Sequence, residues 1–182
     1  MKMLYVYADF PHELNCSKWN CFKNADAINK LEGNEAHLIH VAEWNKNTEN
    51  AVKLSTDADI IVVERNYFQE TLVAIQYWKM LGKTVIGIFD DAYHLLHPSN
   101  PAYRFWNYGD VVGVTKDGER KQIKINPIPI KQFKWGVKLL KGIQIPSKIL
   151  AEDWSLYTDT YYVPNYIDID NYLNVEPLFP HP

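Results

Sequence analysis

Between residues 58 and 91 the chain reads ADIIVVER, a short connection, QETLVAIQYWKMLG and then KTVIGIFDD. The first and last of these runs are almost unbroken in apolar residues and rich in Val and Ile, the composition of strands buried on both faces in a parallel sheet. The middle run has helical length and is stopped by Gly82. Parallel strands cannot be joined by a tight turn, so strand, helix and strand in that order predict a right-handed crossover unit. A chain containing such a unit must cover both faces of its sheet with helices.

The same alternation recurs on either side. MLYVYADF (3–10) predicts a strand, and SKWNCFKNADAINKL (17–31) a helix with Trp19, Phe22, Ala25, Ile28 and Leu31 on one stripe, Ser17 as N-cap and Gly33 past its end. EAHLIHVAE (35–43) then reads as a strand and NTENAVKLS (47–55) as a short helix. Further on, KQFKWGVKLLKG (131–142) and KILAEDWSLYT (148–158) predict helices, while GIQIPS (142–147) and TYYVPN (160–165) predict strands. The expected fold is α/β: a doubly wound, Rossmann-like, mostly parallel six-stranded sheet.

The rhythm breaks at 93–130, where HPSNPAYRFWNYG is rich in Pro, Asn and aromatic residues. There VVGVTKDGERKQIKI places Asp117-Gly118 between two strand-like runs, which predicts a β-hairpin insertion with a tight turn that covers or extends the strand ends. Residues 1–174 are expected to form one domain, and 175–182, with three prolines in the last six positions, the start of an interdomain linker or tail. A length of 182 residues suits one domain with a single sizeable core.

A net charge of -3 without long single-sign runs lacks the footprint of a protein that binds nucleic acid through its phosphates. Lys131, Lys134, Lys138 and Lys141 recur at helical spacing, which reads as a solvated helix face or as attraction toward an anionic acceptor or membrane surface. Cys16 and Cys21 match no zinc or redox spacing and read as free thiols. The opening MKMLYVYADF is too short for a signal peptide, and no run reaches the length of a transmembrane segment, so a cytoplasmic chain is expected.

In an open parallel sheet, ligands bind beyond the carboxyl ends of the strands. The first strand opens there into Phe10, His12, Glu13, Asn15, Ser17 and Trp19, the third into Arg65 and Asn66, and the fourth into Asp90, Asp91 and His94; the later strands add Ser147 and Asn165. Together these predict a polar cleft. No glycine occurs between Met1 and Glu32, and there is no Walker A sequence, so neither a dinucleotide loop nor a P-loop is expected, and no cofactor for this domain alone.

Adjacent carboxylates at a strand end point to opposite sides, so Asp90 and Asp91 are not expected to share one proton as a catalytic dyad would. They can cap a following turn, pair with Arg65, or accept from a sugar hydroxyl. A metal is not expected, because no other carboxylate lies at ligand spacing. Asp90, Asp91 and His94 are the candidates for catalysis, His94 as an acid or base, and no nucleophile motif accompanies them. Ser147, after Pro146, reads as the N-cap of the helix at 148.

The run from ADIIVVERNYF through KTVIGIFDDAYHLLHPSNP resembles a segment of bacterial and phage glycosyltransferases of the GT-B fold, of the retaining group-one or family-four-like kind. The run IQIPSKILAEDWSLYTDTYYVPNYIDIDNY is similar to the segment that closes their N-terminal domain. The resemblance implies the acceptor-binding N-terminal half of an enzyme that transfers a sugar from a nucleotide-sugar donor to a saccharide or other acceptor. By position, Asp90 and Asp91 match the family's acidic pair, Arg65 its strand-end basic residue, Ser147 its Pro-Ser, and Asn165 its Pro-Asn. Ser17 and Trp19 lie in the loop that resembles the acceptor-facing segment. The family's E-x7-E element belongs to a C-terminal donor-binding domain. Glu35 and Glu43 have that spacing but flank a predicted strand, so the donor site is missing from this chain, which is expected to be inactive alone. The rival expectation is a non-catalytic α/β module that binds a protein or carbohydrate through exposed aromatics and the hairpin.

Overall fold

A computed structural model of the chain describes residues 1–10, 15–114 and 117–165. Its strands are β1 (Lys2–Tyr7), β2 (Glu35–His40), β3 (Ile60–Glu64), β4 (Thr84–Ile88), β5 (Asp110–Val114), β6 (Arg120–Lys124), β7 (Ile143–Ile145) and β8 (Thr160–Tyr162). Six of them form the main sheet, all parallel to their neighbours, in the order β2-β1-β3-β4-β7-β8. The fold is thus a doubly wound, Rossmann-like α/β arrangement. After β2 the chain crosses over β1 to lay down β3 on its other side, so strand order reverses between β1 and β3. That reversal is where such sheets open a crevice.

Alternation along the strands sorts the core into two faces. Met3, Tyr5, Ala36, Val62 and Ile88 pack against α1 (Lys23–Asn29) and the turn before it. On the opposite face, Leu4, Val6, Ile61, Val63 and Val85 pack against α2 (Val41–Asn45), α3 (Glu49–Asp57), α4 (Gln69–Met80), α6 (Pro129–Leu139) and α7 (Lys148–Trp154). Local chemistry fixes several helix starts. The Thr48 hydroxyl accepts from the Ala51 N–H at 3.2 Å, Ser147 accepts from Leu150 at 3.4 Å, and α6 begins at Pro129, whose missing N–H costs nothing there.

The first helix departs from its expected phase. It opens with a π-helical turn, Lys18–Phe22, in which the Lys23 N–H reaches the Lys18 carbonyl, a five-residue step. The wider turn rotates Trp19 outward and carries Asn20 and Cys21 into the interior. Ser17 does not cap it, because its hydroxyl is engaged elsewhere. The second strand is also shorter than expected: at His40 the ring Nδ1 accepts from the Ala42 N–H and starts α2.

In the insertion, α5 (Tyr103–Tyr108) forms where the sequence predicts no helix, and it ends at Gly109, whose φ of +72° is a left-handed helix stop. Trp106 stacks on Tyr93 at 4.1 Å and meets Phe133 edge-on, joining an aromatic core with Phe89 and Trp154. The expected hairpin is present as β5 paired antiparallel with β6. It is a separate two-stranded sheet, so it does not extend the main one.

Helix α6 comes close to the loop after β3 and to α4 because Gly136 has no side chain. A Cβ there would collide with the Tyr67 side chain and approach Leu72 to 3.0 Å. Tyr67 is itself fully buried and donates to the Val63 carbonyl at 3.0 Å.

Candidate functional site

The carboxyl ends of β1, β3 and β4 converge on a cluster of charged groups at the reversal of strand order. Its centre is Glu64, the last residue of β3, which has no solvent exposure. A buried carboxyl must be hydrogen-bonded to be tolerated, and here three groups serve it. One oxygen accepts from the Ala8 N–H at 2.9 Å and, in a very short contact, from the Ser17 hydroxyl. The other accepts from the Asn20 amide at 3.4 Å, and burial and then Glu64 push the neighbouring Cys21 thiol up. The π-helical turn explains this set: it brings Ser17, Asn20 and Cys21 onto the one side that faces β3.

Arg65 comes next in the chain, with a φ of +29° that is costly for a residue with a side chain. Its N–H is held by the Ile88 carbonyl at 2.9 Å, and its guanidinium forms a tight ion pair with Asp9. Asp9 Oδ2 accepts from the N–H groups of Asn15 and Ser17, both at 2.9 Å, while the Asp9 N–H donates to the Ser17 hydroxyl at 3.0 Å. Ser17 is therefore a junction: its hydroxyl accepts from the first strand's end and donates to the third's.

The electrostatics are set by these contacts. Burial pushes the Asp9 carboxyl up, but the Ser17 N–H and the Arg65 guanidinium outweigh it and hold it below the usual carboxylate range. For Glu64 burial wins against Ser17, Ala8 and Arg65, and the carboxyl is raised. Burial works against the charge of Arg65, yet Glu64 and its other neighbours keep the guanidinium protonated more firmly than usual. Burial and then Asp90 raise the Cys16 thiol, against the opposing charge of Arg65.

The end of β4 completes the cluster. Asp90 Oδ2 accepts from the Asn20 amide at 3.4 Å, so one amide bridges Glu64 and Asp90. Asp90 Oδ1 is buried with no hydrogen-bond partner. Asp91 is exposed beside the Tyr93 hydroxyl, whose ionisation is suppressed first by burial and then by Asp91. Four carboxyl groups, Asp9, Glu64, Asp90 and Asp91, thus stand at these strand ends, with Asp9 paired to the guanidinium of Arg65.

The structure brings together Asn15, Ser17, Arg65, Asp90 and Asp91 from the expected set. Arg65 does not pair with Asp90, because Asp9 on the adjacent strand end reaches it first. Asn66 is half-buried beside the cluster, its N–H turned to the Glu64 carbonyl. Phe10 and Trp19 are exposed at the rim, Phe10 stacking on His40 at 5.9 Å and Trp19 lying under the Lys18 ammonium. His12 and Glu13 lie outside the described residues.

Three expected residues sit apart. His94 turns away to Asp153 of α7, at 3.2 Å, with its ring against Trp154. The Ser147 hydroxyl caps α7, two strands from β3 and so about 10 Å across the sheet. Asn165 is exposed beyond the edge strand β8. Among the described residues, no group of three or more His, Cys, Asp or Glu is arranged to hold a metal ion.

The chain matches no family model, no curated protein and no solved structure. The site therefore has to be read from its own chemistry. Reasoning from the sequence missed Asp9, Glu64, Asn20 and Cys16. Glu64 did leave a trace there, as a charged residue directly after four consecutive β-branched residues at 60–63.

Proposed function

We propose that this crevice binds a hydroxyl-bearing glycosyl acceptor, and that the chain is the acceptor-side domain of a glycosyltransferase. The observation that carries the reading is Asp90 Oδ1, an acceptor atom without a donor at the end of β4, beside the switch point and joined to it through Asn20. Carboxylates take hydrogen bonds and give none when ionised, so Asp90 and Asp91 suit sugar hydroxyls. Phe10 and Trp19 offer exposed ring surface at the rim for the apolar face of a sugar.

Charge argues for the acceptor side in particular. With Arg65 already paired to Asp9, Asp90 and Asp91 add carboxylates that no ion pair among the described residues offsets, and these repel the diphosphate of a nucleotide sugar. In this reading the donor belongs to a separate domain, and the present chain alone transfers no sugar. Asp90 and Asp91 are the groups that would orient the acceptor, with Asp9, Glu64, Ser17 and Arg65 positioning the strand ends around them.

Amide chemical-shift mapping tests this. Methyl glucoside at millimolar concentration is expected to shift the amides of Ala8, Asp9, Ser17, Arg65 and Asp90, uridine diphosphate is not, and Asp90→Asn weakens the glucoside about tenfold, the loss of a charged hydrogen bond. Shifts confined to other surfaces, or tight uridine diphosphate binding in this crevice, would refute the proposal.

A second reading, a binding module without catalysis, is favoured by the free-standing hairpin, where Val112 and Ile123 are exposed at 61% and 50%. The two part cleanly. Loss of saccharide binding on Ile123→Ser rather than on Asp90→Asn would favour the module.

A further inference from the structure

Helices α4 and α6 lie side by side on the sheet, tied by the Lys79 ammonium to the Leu139 carbonyl and by the Gln69 N–H to the Gln132 side chain at 2.9 Å. Their inward faces carry the core residues Ala74, Ile75, Trp78, Phe133 and Val137. The outward face should then be polar, yet beside Gln69, Glu70 and Gln76 it exposes several large apolar side chains. Val73 is 66% exposed, Met80 86%, Leu81 56% and Trp135 50%, with Tyr77 on the same side.

Lysines surround these side chains. Residues 129–141 hold four lysines and no acid, and α4 adds Lys79 against Glu70 alone. Lys131, Lys138 and Lys141 are exposed, and none of them forms an ion pair within the described residues. Lys138 and the half-buried Lys134 lie over the Tyr157 ring, which steadies them without neutralising them. The whole chain has a net charge of -3, so this helix pair is a cationic island on an acidic protein.

We propose that the outer face of α4 and α6 docks on an anionic lipid surface. Positive charge interspersed with an exposed Trp, a Tyr and aliphatic side chains is the chemistry of an interfacial helix face: lysines meet lipid phosphates while Trp135, Val73 and Met80 enter the headgroup boundary. A nucleic acid would use the lysines but leave the aliphatic groups without a role. No helix among the described residues is long and apolar enough to cross a membrane, so the contact is peripheral. The proposal stands independently of what the crevice binds.

Flotation of the full chain with phosphatidylcholine vesicles, with and without about one-third phosphatidylglycerol, tests it. The chain is expected to float with the anionic vesicles only and to be released by high salt. Lys131→Gln with Lys138→Gln should weaken partition about 30-fold, from about fivefold per lysine. Met80→Ser should weaken it further, and Lys23→Gln with Lys30→Gln, at α1 across the sheet, should leave it unchanged. The proposal is overturned if the chain stays with the soluble fraction, floats equally with neutral vesicles, or loses binding through the α1 pair instead. Salt-sensitive binding to a single-stranded oligonucleotide without flotation would also overturn it. All substituted lysines are on the surface, and circular dichroism of each variant checks that its fold is retained.

Discussion

Glu64 is a carboxyl group without solvent exposure, and its hydrogen bonds do not fully offset the cost of burying its charge. As pH rises through the ordinary carboxylate range, the unfolded chain releases this proton while the folded chain keeps it. Stability therefore falls with pH until the raised folded value is passed, and above that the full cost is present. Asp9 acts in the opposite sense, since its stabilisation is present above the ordinary range and is lost as pH falls through its lowered value. Glu64→Gln is expected to abolish the decline that begins near the ordinary glutamate value, read as the difference between variant and parent urea midpoints across pH. A constant difference would mean that Glu64 does not titrate in that window. Little of this cluster was legible beforehand. Arg65, Asp90 and Asp91 stood out as charges at strand ends, whereas the choice of Asp9 as partner for Arg65 depends on the β1–β3 register, in which Val6 lies opposite Val63.

At the scale of elements, the parallel strands and the crossover helices could be read because each is a continuous run with one period. The π-helical turn could not, because its phase shift is stabilised by hydrogen bonds from Ser17 and Asn20 to a residue more than forty positions away. Likewise α5 is short and bounded by Pro and Asn residues, and it exists because Trp106 fills space against Tyr93 and Phe133. The approach of α6 to Tyr67 gives the sharpest test. Gly136→Ala would raise helix propensity, yet it is expected to destabilise the protein by about 1–3 kcal/mol, because the added methyl overpacks a filled contact. Chemical denaturation checks this, and a variant as stable as the parent would mean that α6 can shift outward at little cost.

Taken as a whole, the molecule is a broad sheet with its polar groups concentrated at one end and a hairpin standing off one side. An isolated two-stranded hairpin is marginal in water, and β6 is exposed along its full length. Amide exchange is therefore expected to be fastest in β5 and β6 and slowest in β1, β3 and β4, whose side chains include the most deeply buried apolar residues. Equal protection of the hairpin would show that something covers it. The positions of the clustered residues have a consequence for how the protein is made. Asp9, Ser17, Asn20, Glu64, Arg65, Asp90 and Asp91 all fall within the first half of the chain, and β7, β8 and α7 contribute no side chain to the cluster. On the ribosome, these polar groups of the crevice are synthesised before α5, α6 and α7, which supply cover and width. Inheritance can then vary the two parts on different terms, since among the described residues exchanges after Tyr93 reach the crevice only through its supports.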